Sequence, residues 1–200
     1  MVAVSGACYW RGTMILTEKG EIPVEKLRIG ARVITASGEA KPVKWIGHRK
    51  FAGRFATGNL EILPVVLRAG SLGGGVPVRD LWVSPTHALL IGDVLVEARH
   101  LVNGITVVQK QVVDWVAYFH VELEEHDVIL ADGAPAETYL EWGNRQTFHN
   151  AAEFAALYPD DARPRGSCCA PVLEAGTPQL AEIWDRLRAM AEAPAVKKRA

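Results

Sequence analysis

The sequence predicts a mostly β domain followed by a short helical extension, and three observations carry that prediction. Short runs of β-branched and aromatic residues recur through the first part of the chain and are bounded by turn pairs such as Lys19-Gly20 and Ser37-Gly38. Two apolar runs in "ALLIGDVLVEA" are separated only by Gly92-Asp93, a pair suited to a primed hairpin turn. Near Trp142 the composition changes, becoming richer in Ala and Pro with apolar residues at helical spacing.

In order, the predicted strands fall in "GTMILT", "ARVITA", "KPVKWIG", "DLWVSPTHALLIGDVLVEA", "ITVVQKQVVDWVAYFHVEL" and "DVILADG". Between them, "GSLGGGVP" reads as a loop, because three successive glycines lose too much backbone entropy inside an element. No internal repeat suggests a solenoid or propeller. In "HNAAEFAALYP", Asn150 and Glu153 have the spacing of a capping box and Pro159 closes a short helix. A second helix starts at Thr177, with Pro178 in its first turn. Its stripe of Leu180, Ile183, Trp184, Leu187 and Met190 should dock on the β part or on a partner. The terminal "PAVKKRA" reads as a frayed tail.

Composition narrows the function classes. Of 200 residues, 49% are hydrophobic, enough for a folded chain with a substantial core. A formal charge of -1 with both signs interspersed leaves no basic footprint for nucleic acid. Three cysteines, two of them adjacent at Cys168 and Cys169, suggest neither a disulfide framework nor a paired metal knuckle. The opening "MVAVSGACYW" has no secretory n- and h-regions, and no run is long enough to span a membrane, so a soluble chain without a membrane partner is expected.

Three elements carry possible chemistry. Cys8 is a potential nucleophile, and a cysteine can attack the carbonyl of the residue before it, turning the Ala7-Cys8 peptide bond into a thioester. The competing reading is a small buried hydrophobe. In "VSPTHALLI", a hydroxyl at Ser84 and an imidazole at His87 are spaced to grip one peptide and protonate its departing nitrogen. Equally, Ser84-Pro85 suits a turn and His87 a core histidine. In "YFHVELEEHDVILADG", His120 and His126 flank an alternating strand beside Asp127 and Asp132, as acid-base candidates or as ordinary surface polar residues. Metal ligation is a minor alternative, since no second dense Cys/His group accompanies them.

Together, the "AC" junction, the run G-T-x-I-x-T-x-x-G-x-x-P-V-E-x-L-x-x-G-x-x-V-x-T, and then "PVKWIGHR", "DLWVSPTHALLI", "VEARHLVNG" and "YFHVELEEHDVILADGAPAETYLEWGN" resemble a bacterial Hint domain. That is the Hedgehog/intein autoprocessing superfamily, in its short branch without a homing endonuclease. The resemblance spans Ala7 to Asn144 and implies a compact β horseshoe. It divides the chain into an upstream flank 1–7, a Hint-like domain 8–144 and a helical extension 145–200. It also makes Cys8 the nucleophile of an N-to-S acyl shift. Ser84 and His87 take the marked positions of the T-x-x-H block, with serine in place of threonine. His120 falls near the late block's usual aspartate, and His126 or Asp127 near its histidine.

One departure stands out. Where inteins end in His-Asn, just after Gly133, this chain reads "APAETYLE", and the later His149-Asn150 is followed by Ala151 and suits a helix cap. Full splicing is therefore not expected. The expected activity is single-turnover self-processing without a cofactor or metal, with the chain's own N-terminal flank as substrate and water or a small nucleophile resolving the thioester. The rival expectation is a degenerate Hint scaffold serving as a binding or structural module. An ordinary cysteine hydrolase is disfavoured by the lack of a G-x-S/C-x-G elbow. Domains that this one resembles often sit in larger exported bacterial proteins, although this chain carries no export signal of its own.

Overall fold

The computed structural model describes residues 6–161 and 167–193, which form fourteen short strands and two helices. In chain order the strands are β1 (Tyr9–Trp10), β2 (Met14–Thr17), β3 (Gly20–Pro23), β4 (Arg32–Ile34), β5 (Ala40–Pro42), β6 (Trp45–Ala52) and β7 (Val65–Leu67). They continue as β8 (Leu81–Val83), β9 (Ala88–Ile91), β10 (Val94–Glu97), β11 (Val107–Gln109), β12 (Trp115–Glu122), β13 (Val128–Ala131) and β14 (Ala134–Glu137). The helices are α1 (Ala151–Leu157) and α2 (Pro178–Glu192).

The strands make two sheets, ordered β11-β7-β8-β1-β12-β6 and β10-β9-β14-β13-β2-β4-β5, with β3 paired to β2. The expected strand runs all contain strands, and the fold is mostly β, as the sequence predicts. Gly92-Asp93 closes the β9–β10 hairpin, with Gly92 at φ +66°. Asp132 has a structural task. At φ +48° it forms the two-residue β13–β14 turn with Gly133, and its Oδ1 accepts from Met14 N (3.2 Å) and Arg79 Nη1 (3.0 Å). Among the described residues, the chain from β1 to β14 is strands, turns and short 3-10 segments, with no inserted domain.

Ile15, Val33, Leu81, Val83, Leu89 and Ile129 form the middle of the core, all with no exposed surface. Leu180, Ile183 and Leu187 of α2 join them, each such burial contributing about 1.5–3 kcal/mol. Thr177 caps α2 by accepting from Leu180 N, and Trp184 Nε1 donates to Val102 O at 3.0 Å. The helix therefore docks on the β part, although Met190 stands 40% exposed at the end of its stripe. At α1 the helix forms where expected, but its capping differs. The Asn150 side chain does not cap α1; its Oδ1 accepts from His48 N (3.0 Å) and its Nδ2 donates to Ile46 O (2.9 Å) and Glu153 (2.7 Å). Asn150 thus ties the helix start to the edge of β6, where strand backbone groups are unpaired. The expected frayed tail lies outside the described residues.

Between the helices, residues 171–173 lie along the edge of β10. Leu95 N donates to Pro171 O (2.8 Å) and Leu173 N to Leu95 O (2.9 Å), making a parallel bridge. The C-terminal extension is thereby strapped to the second sheet ahead of α2. No helix among the described residues is long and apolar enough to cross a membrane.

Candidate active site

Strand register builds the centre around Cys8. β1 is only two residues long but is held on both sides, with Tyr9 opposite Val83 of β8 and opposite Phe119 of β12. Antiparallel pairing one step further sets Cys8 between Ser84 and His120, the residues just beyond those partners. Ser84 N accordingly donates to Cys8 O at 3.0 Å. After Ser84 the chain turns through Pro85 and Thr86, with His87 N donating to Ser84 O at 3.1 Å, and enters β9. The turn returns the His87 ring to within 4.4 Å of the Tyr9 ring, edge to face.

The chain entering Cys8 is held on either side of Ala7. Cys8 N–H donates to Ser84 Oγ (3.2 Å), and that hydroxyl donates to Gly6 O (3.1 Å). Cys8 Sγ lies 3.0 Å from His120 Nε2 and 3.2 Å from Gly6 O. Gly6 is demanded by this arrangement. It sits at φ +155°, and a Cβ there would meet Asn144 Nδ2 at 3.2 Å and His120 Cε1 at 3.3 Å.

Cys8, Ser84 and His87 are fully buried and His120 nearly so, which keeps the centre neutral at rest. Burial pushes the Cys8 thiol up to about 12, although the Ser84 hydrogen bond and the Arg49 charge favour the thiolate. Burial likewise lowers His87 to about 3, outweighing the Cys8 and Glu137 backbones that favour its proton. His120 is held well below the ordinary histidine value by burial, by His87 and by Arg49. The Cys8 and Glu137 backbones lie near enough to favour a proton on His87, and Ala7 does the same for His120, but none is placed to form a hydrogen bond with His87 Nδ1 or Nε2 or with His120 Nδ1. An unpaired buried polar atom costs about 1–3 kcal/mol, so three in one centre point to a use other than stability. Chemically, the centre pairs a thiol with a base, holds the amide nitrogen beside that thiol, and keeps a spare imidazole against the same residue.

The other predicted residues go elsewhere. His126 Nδ1 accepts from Cys169 N (3.0 Å) and its Nε2 lies 3.3 Å from Glu137 Oε2. Asp127 pairs with Lys41 Nζ at 2.6 Å and accepts from Val128 N at 2.7 Å. Cys8, Ser84, His87 and His120 thus come together, while His126 and Asp127 make their contacts outside that group.

Sequence reasoning passed over Glu137 and Asn144. Glu137 Oε1 accepts from Ala88 N (2.7 Å) and its backbone O from Tyr9 Oη (2.8 Å), bracing both chain segments that flank the centre. The signal was a lone carboxylate ending the apolar alternation "APAE". Asn144, whose Oδ1 accepts from Tyr139 Oη (2.6 Å), closes the centre beside Gly6, although the sequence directs attention to an asparagine just after Gly133.

A two-sheet β module that holds a cysteine near the start of its first strand, between a hydroxyl-imidazole turn and a late histidine, is an autoprocessing-type domain. The family model for the Hint domain matches residues 7–143, and the chain belongs to that family. Similar solved structures include the gp41-1 intein (12% identity, 66% of this chain and 98% of that one, TM-score 0.46). A bacterial intein-like domain from Clostridium thermocellum is similar at 18% identity, over 66% of this chain and 97% of that one, with a TM-score of 0.45. A DnaB intein from Synechocystis sp. PCC 6803 is similar at 11% identity, over 66% and 98% of the two chains, with a TM-score of 0.46. No curated protein matches the sequence.

Proposed function

We propose that this Hint domain processes its own chain through an N-to-S acyl shift at the Ala7-Cys8 bond. Cys8 Sγ attacks the Ala7 carbonyl carbon while its proton passes to His120 Nε2, 3.0 Å away. The carbon-nitrogen bond then breaks. The nitrogen, gripped by Ser84, takes a proton through His87, which lies against the Cys8 backbone. The proton that His120 takes from sulfur must return through His87 to the nitrogen, so that both imidazoles end neutral and one S–H and one C–N bond are exchanged for one C–S and one N–H bond. The result is a thioester on Cys8 and a free α-amine, and water or a small external nucleophile then releases the upstream peptide.

The observation that carries this reading is the double grip on one residue: the Cys8 thiol on an imidazole, its amide on a hydroxyl, and an unpaired buried imidazole beside both. Asn144 is followed by Arg145, which offers no hydroxyl or thiol to accept an acyl group, and splicing is not proposed.

The test is intact mass spectrometry of the purified chain with and without hydroxylamine, beside Cys8→Ala. Expected is loss of residues 1–7, faster with the nucleophile and absent in the variant. Cleavage that persists in Cys8→Ala would sink the scheme. A mass that hydroxylamine leaves unchanged in the wild type would turn the reading toward a scaffold without processing.

A further inference from the structure

Three strands set the rows of side chains around the reactive centre. Directly opposed residues of antiparallel strands share a face of the sheet, and every second residue along a strand returns to it. One row on the face of Cys8 therefore runs from Trp10 through Tyr118 to Arg49, across β1, β12 and β6. The next row on that face, two residues along each strand, runs from Cys8 through His120 to Gly47. Tyr118, in the first row, packs in the same buried cluster as Cys8.

Gly47 offers no side chain opposite His120, and none would fit. A Cβ there would come within 2.7 Å of the Trp45 ring and 2.9 Å of Phe148. Arg49 is thus the β6 side chain diagonal to His120, at a separation that long side chains span. It is half-buried, and its side chain makes no ion pair or hydrogen bond with another described residue. The carboxylate further along the same face, Glu122, is already held by Arg145 and Lys44. The charge of Arg49 reaches both members of the neighbouring row, favouring a thiolate at Cys8 and opposing a second proton on His120. At His87, across the centre, the charge that acts is instead that of His126.

We propose that Arg49 is a positioning residue of the acyl shift, whose unpaired charge attracts the negative charge developing on the Cys8 sulfur and the Ala7 carbonyl oxygen and drives the migrating proton from His120 toward His87. The proposal rests on the thioester reading above. In that scheme the proton leaves sulfur for His120 and finishes on the departing nitrogen. Held on His120, the proton is repelled by the guanidinium one row away; carried on to His87 and then to nitrogen, it moves out of that field. The same charge disfavours the proton's return to sulfur, so the relay is biased toward cleavage of the carbon-nitrogen bond.

The experiment uses the full chain and its Arg49→Lys, Arg49→Met and Arg49→Glu variants. Hydroxylamine-driven release of residues 1–7 is timed at saturating nucleophile by intact mass, and a denaturant midpoint is taken for each. Arg49→Met, which keeps a stem without a charge, should slow release about tenfold, Arg49→Glu about a hundredfold, and Arg49→Lys should stay within about threefold of wild type. The midpoints should change little, since the guanidinium holds no partner. A role for the stem alone would instead make Met and Lys equivalent. Release by Arg49→Met at the wild-type rate, Arg49→Lys as slow as Arg49→Met, or losses of rate that follow the midpoints would each overturn this proposal alone, with hydroxylamine still cleaving at Cys8 in the wild type. Absence of any hydroxylamine-sensitive bond at Cys8 in the wild type overturns the thioester reading and this proposal together.

Discussion

Two buried polar clusters hang from one face of β12, and they are satisfied in opposite ways. Around Glu122, Arg145 donates to both carboxylate oxygens (2.5 and 3.0 Å) and to Glu141 through Nε (2.8 Å), while its guanidinium stacks on Phe154 at 3.6 Å. Lys44 joins the same carboxylate at 3.8 Å and pairs closely with Asp161. Two residues earlier, His120 enters the Cys8 centre, where every group is neutral at rest and three ring nitrogens have no partner. Phe148 is the wall between them, packed on His120 at 4.2 Å and on Trp45 at 5.6 Å. In the first cluster the charges are all paired and nothing is left to move. In the second the protein forgoes pairing, which leaves the sites that the proposed acyl shift would use for its proton.

Breaking the charged cluster should give the largest effect on stability. Arg145→Ala leaves Glu122 buried without its bidentate partner and should destabilise the fold by about 3–5 kcal/mol, read from denaturant midpoints. At a temperature where the variant is folded, its rate of thioester formation should remain near wild type. A rate that collapses along with stability would show that the two clusters are coupled through Phe148 rather than independent.

His87→Ala should lose rate as well as stability. Losing the proton relay should slow thioester formation by at least about a hundredfold. Stability should fall by about 2–4 kcal/mol through the cavity left by a fully buried ring packed on Tyr9, with no further loss from broken hydrogen bonds. That loss with an intact rate would make His87 a core histidine and nothing more.

Ser84 sharpens the comparison, being the one member of the reactive centre whose hydrogen bonds are complete. Ser84→Ala strands Cys8 N–H and leaves Gly6 O with the Cys8 thiol alone, and should cost about 1–3 kcal/mol of stability and about tenfold in rate. Ser84→Thr restores the hydroxyl and should recover most of both, which a merely steric role would not predict. Denaturant titration and nucleophile-saturated cleavage rates separate these outcomes.

How much of this the sequence disclosed depended on how local each contact was. Ser84 and His87 share one turn, and three residues of spacing suffice to see that they converge. Cys8 and His120 meet only because Tyr9 is in register with Phe119, a pairing 110 residues apart that periodicity alone does not set and that entered through family resemblance. The strand runs were legible for the same reason, since β-branched runs and turn pairs are local signals. Glu137 was hidden because an outward residue of β14 should face water; here the strapped extension brings Cys168 and Cys169 over it. The Asn150 cap was misread for a related reason. Its amide is claimed by the edge of β6, more than a hundred residues away in sequence, and a helix-local motif does not report that competition.

The titration of the reactive centre should be flat where an exposed Cys-His pair would show a slope. Between the His87 value near 3 and the Cys8 value near 12, the resting state is thiol with neutral imidazole. The reactive arrangement has the same number of protons, with one moved internally, so solvent pH does not change its population. The rate of thioester formation at saturating nucleophile should therefore vary less than about threefold across the neutral range. A sigmoidal rise centred near 6.5 would mean that one imidazole is open to solvent.

The smallest expected effect lies in His126, where the extension meets β14. Its Nδ1 accepts the Cys169 N–H, so the neutral ring carries its proton on Nε2, toward Glu137. Burial disfavours a second proton, but the Cys169 and Glu137 side chains favour it more strongly and raise the pKa to about 9. A folded-state value above the unfolded one gives stability that is complete below about 6.5 and is lost as pH rises through about 9. The thermal midpoint should thus fall by a few degrees over that interval, and His126→Gln should flatten the fall. The amide keeps an acceptor for Cys169 but cannot take the proton, so a slope that survives in this variant would assign the titration to another group. The reactive centre, flat over the same interval, serves as the internal control, because the rise in pH would remove only the charge of the His126–Glu137 pair, leaving Nδ1 free to accept from Cys169 N and the acyl shift untouched.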